Sequence, residues 1–196
     1  MFFEKDDIYH IYNMGNKAQP LFYNEGNYTF FQQKIKNEIK PYCEILVYCL
    51  MPNHFHFMVV ASEKSVELDS FGKMQKLSRK FGTLQSSYSQ AINNQKGTAG
   101  SLFRQKTKAK SLTLPKVNLT KTINDYALNS FLYIHQNPLN AGLVKRIEDW
   151  KFSSYHEYKG LINEGVCKTN LGFEILGIID NNNFEDIHRN NVFFEE

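Results

Sequence analysis

Residues 43–60 read CEILVYCLMPNHFHFMVV, two apolar runs separated by Pro52 and Asn53. Both runs are rich in aromatic and β-branched residues and read as strands, and the Pro-Asn pair between them reads as a tight turn. Together they predict a β-hairpin. Successive strand side chains point to opposite faces, so His54 and His56 share a face with Met58, while Phe55, Phe57 and Val59 anchor the other in a core. Two imidazoles ~7 Å apart along one strand face can converge on one divalent cation. A His-x-His pair is unspecific by itself, and a hydrogen-bonded core histidine is the plain alternative.

The flanking segments supply the rest of a sheet. IYHIYNM, residues 8–14, alternates and predicts a first strand closed by Gly15. YTFFQQKIKNEIK, residues 28–40, places Phe30, Phe31, Ile35 and Ile39 at helical spacing and predicts an amphipathic helix that stops before Pro41. Phe71, Met74, Leu77, Phe81, Leu84, Tyr88 and Ile92 recur every three or four residues, predicting a long second helix over 68–94 with a bend near Gly82. In SLFRQKTKAKSL, residues 101–112, Arg104, Lys106, Lys108 and Lys110 alternate with Phe103, Gln105, Thr107 and Ala109, as in a strand with one basic face. A third helix is expected to start near residues 120–122, capped through Asp125, and to end before Pro138. This order predicts a ferredoxin-like α+β fold, a four-stranded antiparallel sheet with helices packed on one face, plus a C-terminal helical extension. Residues 1–160 form the expected domain, and 161–196 an acidic extension that is not an independent domain.

The 196-residue chain carries a net charge of only +3, but its charges are segregated. From Ser70 to Asn124 there is no Asp or Glu, while Lys73, Lys76, Arg79, Lys80, Lys96, Arg104, Lys106, Lys108, Lys110, Lys116 and Lys121 all fall there. Such a tract predicts a polyanionic partner, because phosphate neutralisation dominates the electrostatics of nucleic-acid binding; a solvated lysine-rich face is the plainer reading. No run approaches the ~20 apolar residues of a membrane helix, and MFFEKDDIYH is no signal peptide, so a cytoplasmic protein without membrane contact is expected. Cys43, Cys49 and Cys167 have no paired spacing and predict reduced, buried thiols.

The third helix carries groups that two histidines lack. In FLYIHQNP, residues 131–138, Tyr133 and Asn137 stand at i and i+4 and share a helix face with Asn129, whereas Ile123, Ala127, Phe131 and Ile134 form an apolar face. An amide oxygen at Asn137 beside His54 and His56 suits a hard cation such as Mg²⁺ or Mn²⁺. A tyrosine hydroxyl can attack a DNA phosphodiester and retain the phosphate covalently, but its ordinary pKa of ~10 calls for a positive centre nearby. Tyr126, two turns earlier, is the second candidate nucleophile. Gln136 is the substitute ligand if Pro138 turns Asn137 away, and a core-filling tyrosine is the structural alternative for Tyr133.

MPNHFHFMVV, GSLFRQK, YIHQNPLNAGLV and DWKFSSYHEY, in this order, resemble the single-tyrosine transposases of the HUH superfamily, most closely the REP-associated tyrosine transposases, over residues 8–160. The resemblance matches the family's His-hydrophobic-His motif to His54, Phe55 and His56, its nucleophile to Tyr133, and its third metal ligand to Asn137. It implies a metal-dependent transposase that cuts single-stranded DNA beside a hairpin or palindrome, leaving a 5′-phosphotyrosine and a 3′-OH, as a monomer or homodimer. A DNA-binding descendant without activity is the alternative. Phe22, Tyr23, Phe103, Trp150, Phe152 and Tyr155 are the aromatics on which bases could stack.

Overall fold

The computed structural model describes residues 1–113, 123–162 and 164–190. Among them, β1 (Ile8–Met14), β2 (Cys43–Met51), β3 (His54–Ala61) and β4 (Lys108–Ser111) form one antiparallel sheet in the order β2-β3-β1-β4, the ferredoxin-like arrangement. The predicted hairpin is β2-β3, with Met51 paired to His54 around the Pro-Asn turn.

The helices that connect strands cover one face, as expected. On that side α1 (Glu25–Lys34), its π-helical continuation Ile35–Ile39 and α3 (Lys76–Lys96) bury Phe31, Ile35, Ile39, Phe81 and Tyr88 against Ile11, Phe55, Phe57 and Val59. Phe55 is fully buried, a position where truncation to alanine costs about 3–5 kcal/mol. Phe30 does not join this core; one residue before Phe31, it is rotated about 100° around the helix and stays exposed. A short helix that the periodicity does not predict, α2 (Glu63–Val66), follows β3.

The second long helix starts later than its apolar spacing predicts. The Asp69 carboxylate accepts the backbone N–H groups of Phe71, Lys73 and Met74, and Gly72 adopts a positive φ of 64°. A side chain that captures these amides competes with helical bonding, so residues 68–75 form a turn and Phe71 and Met74 remain exposed. From Lys76 the chain runs as one helix through Gly82. The last strand is also shorter than expected, with only Lys108–Ser111 in the sheet and an isolated Gly15–Phe103 bridge before it. Its alternation nonetheless holds: Lys108 lies opposite Tyr12 and Lys110 opposite His10.

The third helix, α4 (Ile123–Asn140), lies on the other face, where Phe131, Leu132 and Ile134 meet Leu46, Val47, Cys49 and Met58. The start expected at 120–122, the Asp125 cap, Lys116 and Lys121 lie outside the described residues. Contrary to expectation, α4 does not stop before Pro138 but continues to Asn140. A proline this near a helix C-terminus removes only one late hydrogen bond, and the helix closes in a Schellman turn. There Leu143 N–H donates to the Pro138 carbonyl and Gly142 N–H to that of Leu139, both at 2.9 Å, with Gly142 at φ 67°. Asn137 therefore keeps helical geometry and shares a face with Tyr133.

Beyond α4 the chain thickens the same layer. In α5 (Tyr155–Tyr158), α6 (Thr169–Leu176) and α7 (Asn181–Asn190), Tyr158, Leu176 and Phe184 join the cluster around Phe131. Residues 152–154 run along edge strand β2, where Leu50 N–H donates to the Phe152 carbonyl and Ser154 N–H to that of Tyr48, so this edge is covered. Cys43 and Cys49 are free and buried, and burial pushes both thiols up, away from reactivity. Among the described residues no helix is long and apolar enough to cross a membrane.

Candidate active site

His54 and His56 project from β3 toward α4, and cross-strand pairing sets Met14 beside His54 and Tyr12 beside His56. Their rings lie 5.0 Å apart at 87°. A third imidazole joins them, since His10 of β1 places Nε2 2.8 Å from His56 Nδ1. Reading residues 43–60 alone misses His10. Its alternation with Tyr12 puts both on one strand face, but only the β1-β3 register makes that face the histidines' own.

From the other side α4 presents Tyr133 and Asn137. The Tyr133 ring centroid is 5.6 Å from that of His56, and Asn137 Oδ1 is 3.2 Å from His54 Nε2. These four residues line one cavity of 640 Å³ whose walls include Tyr12, Arg104, Lys106 and Lys108. Burial, with Lys110 opposite, pushes the His10 pKa down to about 4. Burial and the neighbouring His10 and His54 hold His56 well below the usual histidine range. Both rings are therefore neutral at neutral pH, the form that ligates metals.

The donor set fits a divalent cation. Among the described residues no three His, Cys, Asp or Glu side chains group as metal ligands, so a cation here would rest on two imidazoles and an amide oxygen. His54 Nδ1 is 2.7 Å from Asn53 Oδ1 and its Nε2 is 3.2 Å from Asn137 Oδ1. A neutral ring has one N–H and both amide oxygens only accept, so with the proton on Nδ1, the closer contact, the Nε2 and Oδ1 lone pairs face each other and a cation between them relieves their repulsion. The Asn137 amide holds this orientation although its Nδ2 is buried with no hydrogen-bond partner among the described residues.

The other expected site residues are distributed differently. Tyr126 lies under Lys110, whose Nζ is 5.1 Å from its ring centroid, away from the cavity lining. Gln136 turns to α7, donating to the His188 carbonyl at 3.3 Å, so it does not replace Asn137. Lys76, Arg79 and Lys80 belong to α3 on the opposite face of the sheet, and Lys73 to the turn before it; none lines the cavity. Lys76 pairs with Glu67, Arg79 with Asp69, and Lys80 sits over the Tyr42 ring. The tract that is free of acid in sequence is thus partly neutralised in space by carboxylates just upstream. Arg104, Lys106 and Lys108 line the cavity and have no ion-pair partner among the described residues. Of the candidate stacking aromatics, Phe22, Phe103 and Tyr155 are buried, Phe152 stacks on Tyr28 and the Trp150 indole donates to the Leu50 carbonyl. Tyr23 is exposed under Lys96.

Comparison with protein-family models and with curated proteins gives no match. Among solved structures, a REP-associated tyrosine transposase bound to a REP hairpin overlays with a TM-score of 0.60 at 17% identity, over 85% of this chain and 87% of its own. A bacterial tRNA(His) guanylyltransferase-like protein overlays at a TM-score of 0.45 in its GTP complex, with 10% identity over 76% of this chain and 70% of its own. In its ATP complex the score is again 0.45, with 11% identity over 92% and 75%. Only the first overlay is close enough to define architecture, and it shows that this chain shares the fold of that transposase.

Proposed function

We propose that this chain is a cytoplasmic DNA transposase that cleaves and rejoins single-stranded DNA at hairpin or palindromic sequences, with Tyr133 as its nucleophile. The observation that carries this reading is the convergence of Tyr133, Asn137, His54 and His56 on one cavity walled by Arg104, Lys106 and Lys108. The transposase of like fold was solved on a REP hairpin, which supports hairpin DNA as the substrate class.

Arg104, Lys106 and Lys108 hold backbone phosphates and set the strand in the cavity. Tyr133 Oη attacks the scissile phosphorus; the P–Oη bond forms as the P–O3′ bond breaks, the phenolic proton passes to solvent, and the departing 3′ oxygen takes up a proton. The products are a 5′-phosphotyrosine and a free 3′-OH. Rejoining is the reverse, with a 3′-OH attacking the phosphotyrosine and Tyr133 leaving. A Mg²⁺ or Mn²⁺ ion held by His54, His56 and Asn137 supplies, when bound, stabilisation of the negative charge that builds on the phosphate oxygens. The Tyr133 ring lies 5.6 Å from the His56 ring of its own chain, which supports a reaction in cis.

The test is incubation with labelled hairpin and single-stranded DNA and Mn²⁺, resolved under denaturing conditions. A covalent protein–DNA adduct is expected, and it disappears in Tyr133→Phe. An adduct that survives in Tyr133→Phe moves the nucleophile elsewhere, with Tyr126 next to be replaced. Hairpin binding with no adduct leaves the chain a DNA-binding protein.

A further inference from the structure

We infer that His10 is a positioning residue that fixes the tautomer of His56, an inference that rests on the metal-binding reading of the cavity. His10 Nε2 and His56 Nδ1 are 2.8 Å apart, so one of these nitrogens carries the proton between them. If His56 donates, its lone pair is on Nε2 and the ring can ligate a cation. If His10 donates, His56 carries its proton on Nε2 and cannot. Only the first arrangement lets His56 serve as a ligand, and in it His10 accepts at Nε2.

Sheet pairing holds the two rings together. His10 is partly buried, paired to Met58 of β3 and Lys110 of β4, and its ring centroid is 5.0 Å from that of His56. Asn53 Oδ1, 2.7 Å from His54 Nδ1, offers that nitrogen's proton an acceptor in the same way. With both Nδ1 protons so held, one by the hairpin turn and the other by β1, HFH presents two Nε2 lone pairs. Outer partners of this kind orient ligating imidazoles and raise their basicity, and losing one weakens metal binding by ~10–100-fold.

The experiment has two readouts on the intact chain. Imidazole ¹⁵N NMR of the metal-free wild-type protein at neutral pH should show His56 protonated on Nδ1. His10→Phe should shift it toward the Nε2–H form, and His10→Gln, whose amide oxygen can accept, should keep it on Nδ1. An Nε2–H His56 in the wild type, or a tautomer unchanged in His10→Phe, overturns the inference. Mn²⁺ titration of the same proteins should show ~10–100-fold weaker binding for His10→Phe and a smaller change for His10→Gln. Equal Mn²⁺ affinity in wild type and His10→Phe also overturns it. A wild type that binds no Mn²⁺ overturns the metal-binding reading, and with it any ligand role for the tautomer, whatever the NMR shows. Thermal melts of both variants separate a local change from unfolding.

Discussion

Asn137 presents its amide oxygen 3.2 Å from His54 Nε2, across 83 residues of sequence. It does so from the last turn of α4, immediately before Pro138, because the helix carries on to Asn140. The same amide leaves Nδ2 buried with no partner among the described residues. An orphaned buried donor costs about 1–3 kcal/mol, so the position is poorly suited to stability and well suited to a ligand.

Asn137→Leu should therefore separate the two roles. It removes the orphaned N–H and the oxygen together, and urea unfolding is expected to show stability unchanged or raised by up to about 2 kcal/mol. Mn²⁺ affinity should fall by at least ~10-fold in titration calorimetry. Lost stability with unchanged Mn²⁺ binding would make Asn137 a structural residue.

The basic residues divide into two groups with different expected effects on DNA. Arg104, Lys106 and Lys108 face the cavity, whereas Lys76 and Arg79 are paired to Glu67 and Asp69 across the sheet. Each lost phosphate contact to single-stranded DNA lowers the slope of log K against log salt by about 0.7. Replacing Arg104, Lys106 and Lys108 by alanine should flatten that slope by about 2 in filter-binding titrations. Replacing Lys76, Arg79 and Lys80 should leave it unchanged, and equal flattening by both triples would contradict a cavity-centred footprint.

How much of this was legible in the sequence depended on the range of the interaction involved. Alternation placed His54 and His56 on one face and Phe55 on the other, and i,i+4 spacing placed Tyr133 with Asn137, because strand and helix periods are local properties. The Asp69 turn was missed because apolar residues at 71 and 74 continued the helical period while a single side chain captured the backbone amides. Pro138 misled for the opposite reason: a local bias against helix was outweighed by the Schellman closure at Gly142. His10 and the pairing of Asp69 and Glu67 with α3 lysine and arginine depend on register and chain reversal, which no periodicity encodes.

The buried imidazole pair of the C-terminal layer should make the protein acid-sensitive. His188 Nδ1–H donates to the Phe184 carbonyl at 2.7 Å, its Nε2 accepts from His135 Nδ1 at 3.0 Å, and His135 Nε2 in turn accepts from the Ser154 hydroxyl at 2.9 Å. With both rings neutral this chain of bonds is complete. Burial pushes His188 down to about 4, and burial with His188 nearby holds His135 well below the usual range. In the unfolded chain both titrate near 6.5. Below that pH the unfolded state takes up protons that the folded state refuses, so this stability is whole above 6.5 and is lost as pH falls toward 4. His188 alone accounts for about 3 kcal/mol of the loss at the acid end. Urea midpoints measured from pH 7 to 4.5 should fall in the wild type and fall less in His188→Gln; parallel curves would exclude His188 as a source.

Gly172 ties the extension to the sheet through a contact that leaves no room for a side chain. A Cβ there would lie far inside van der Waals contact distance of Tyr158 Oη. That hydroxyl donates to the Leu46 carbonyl at 2.7 Å, at the point where the β2-β3 register shifts between Ile45 and Val47. Gly172→Ala forces Tyr158 away from Leu46 and disturbs its stacking on Phe184. The expected cost is about 3 kcal/mol, from overpacking and an orphaned carbonyl together. Tyr158→Phe removes the clashing oxygen, so the double variant should be less destabilised than the sum of the singles, with a coupling of about 1–2 kcal/mol in a double-mutant cycle. Strict additivity would show that α6 shifts to admit the methyl group and that the Tyr158 contact does not set its position.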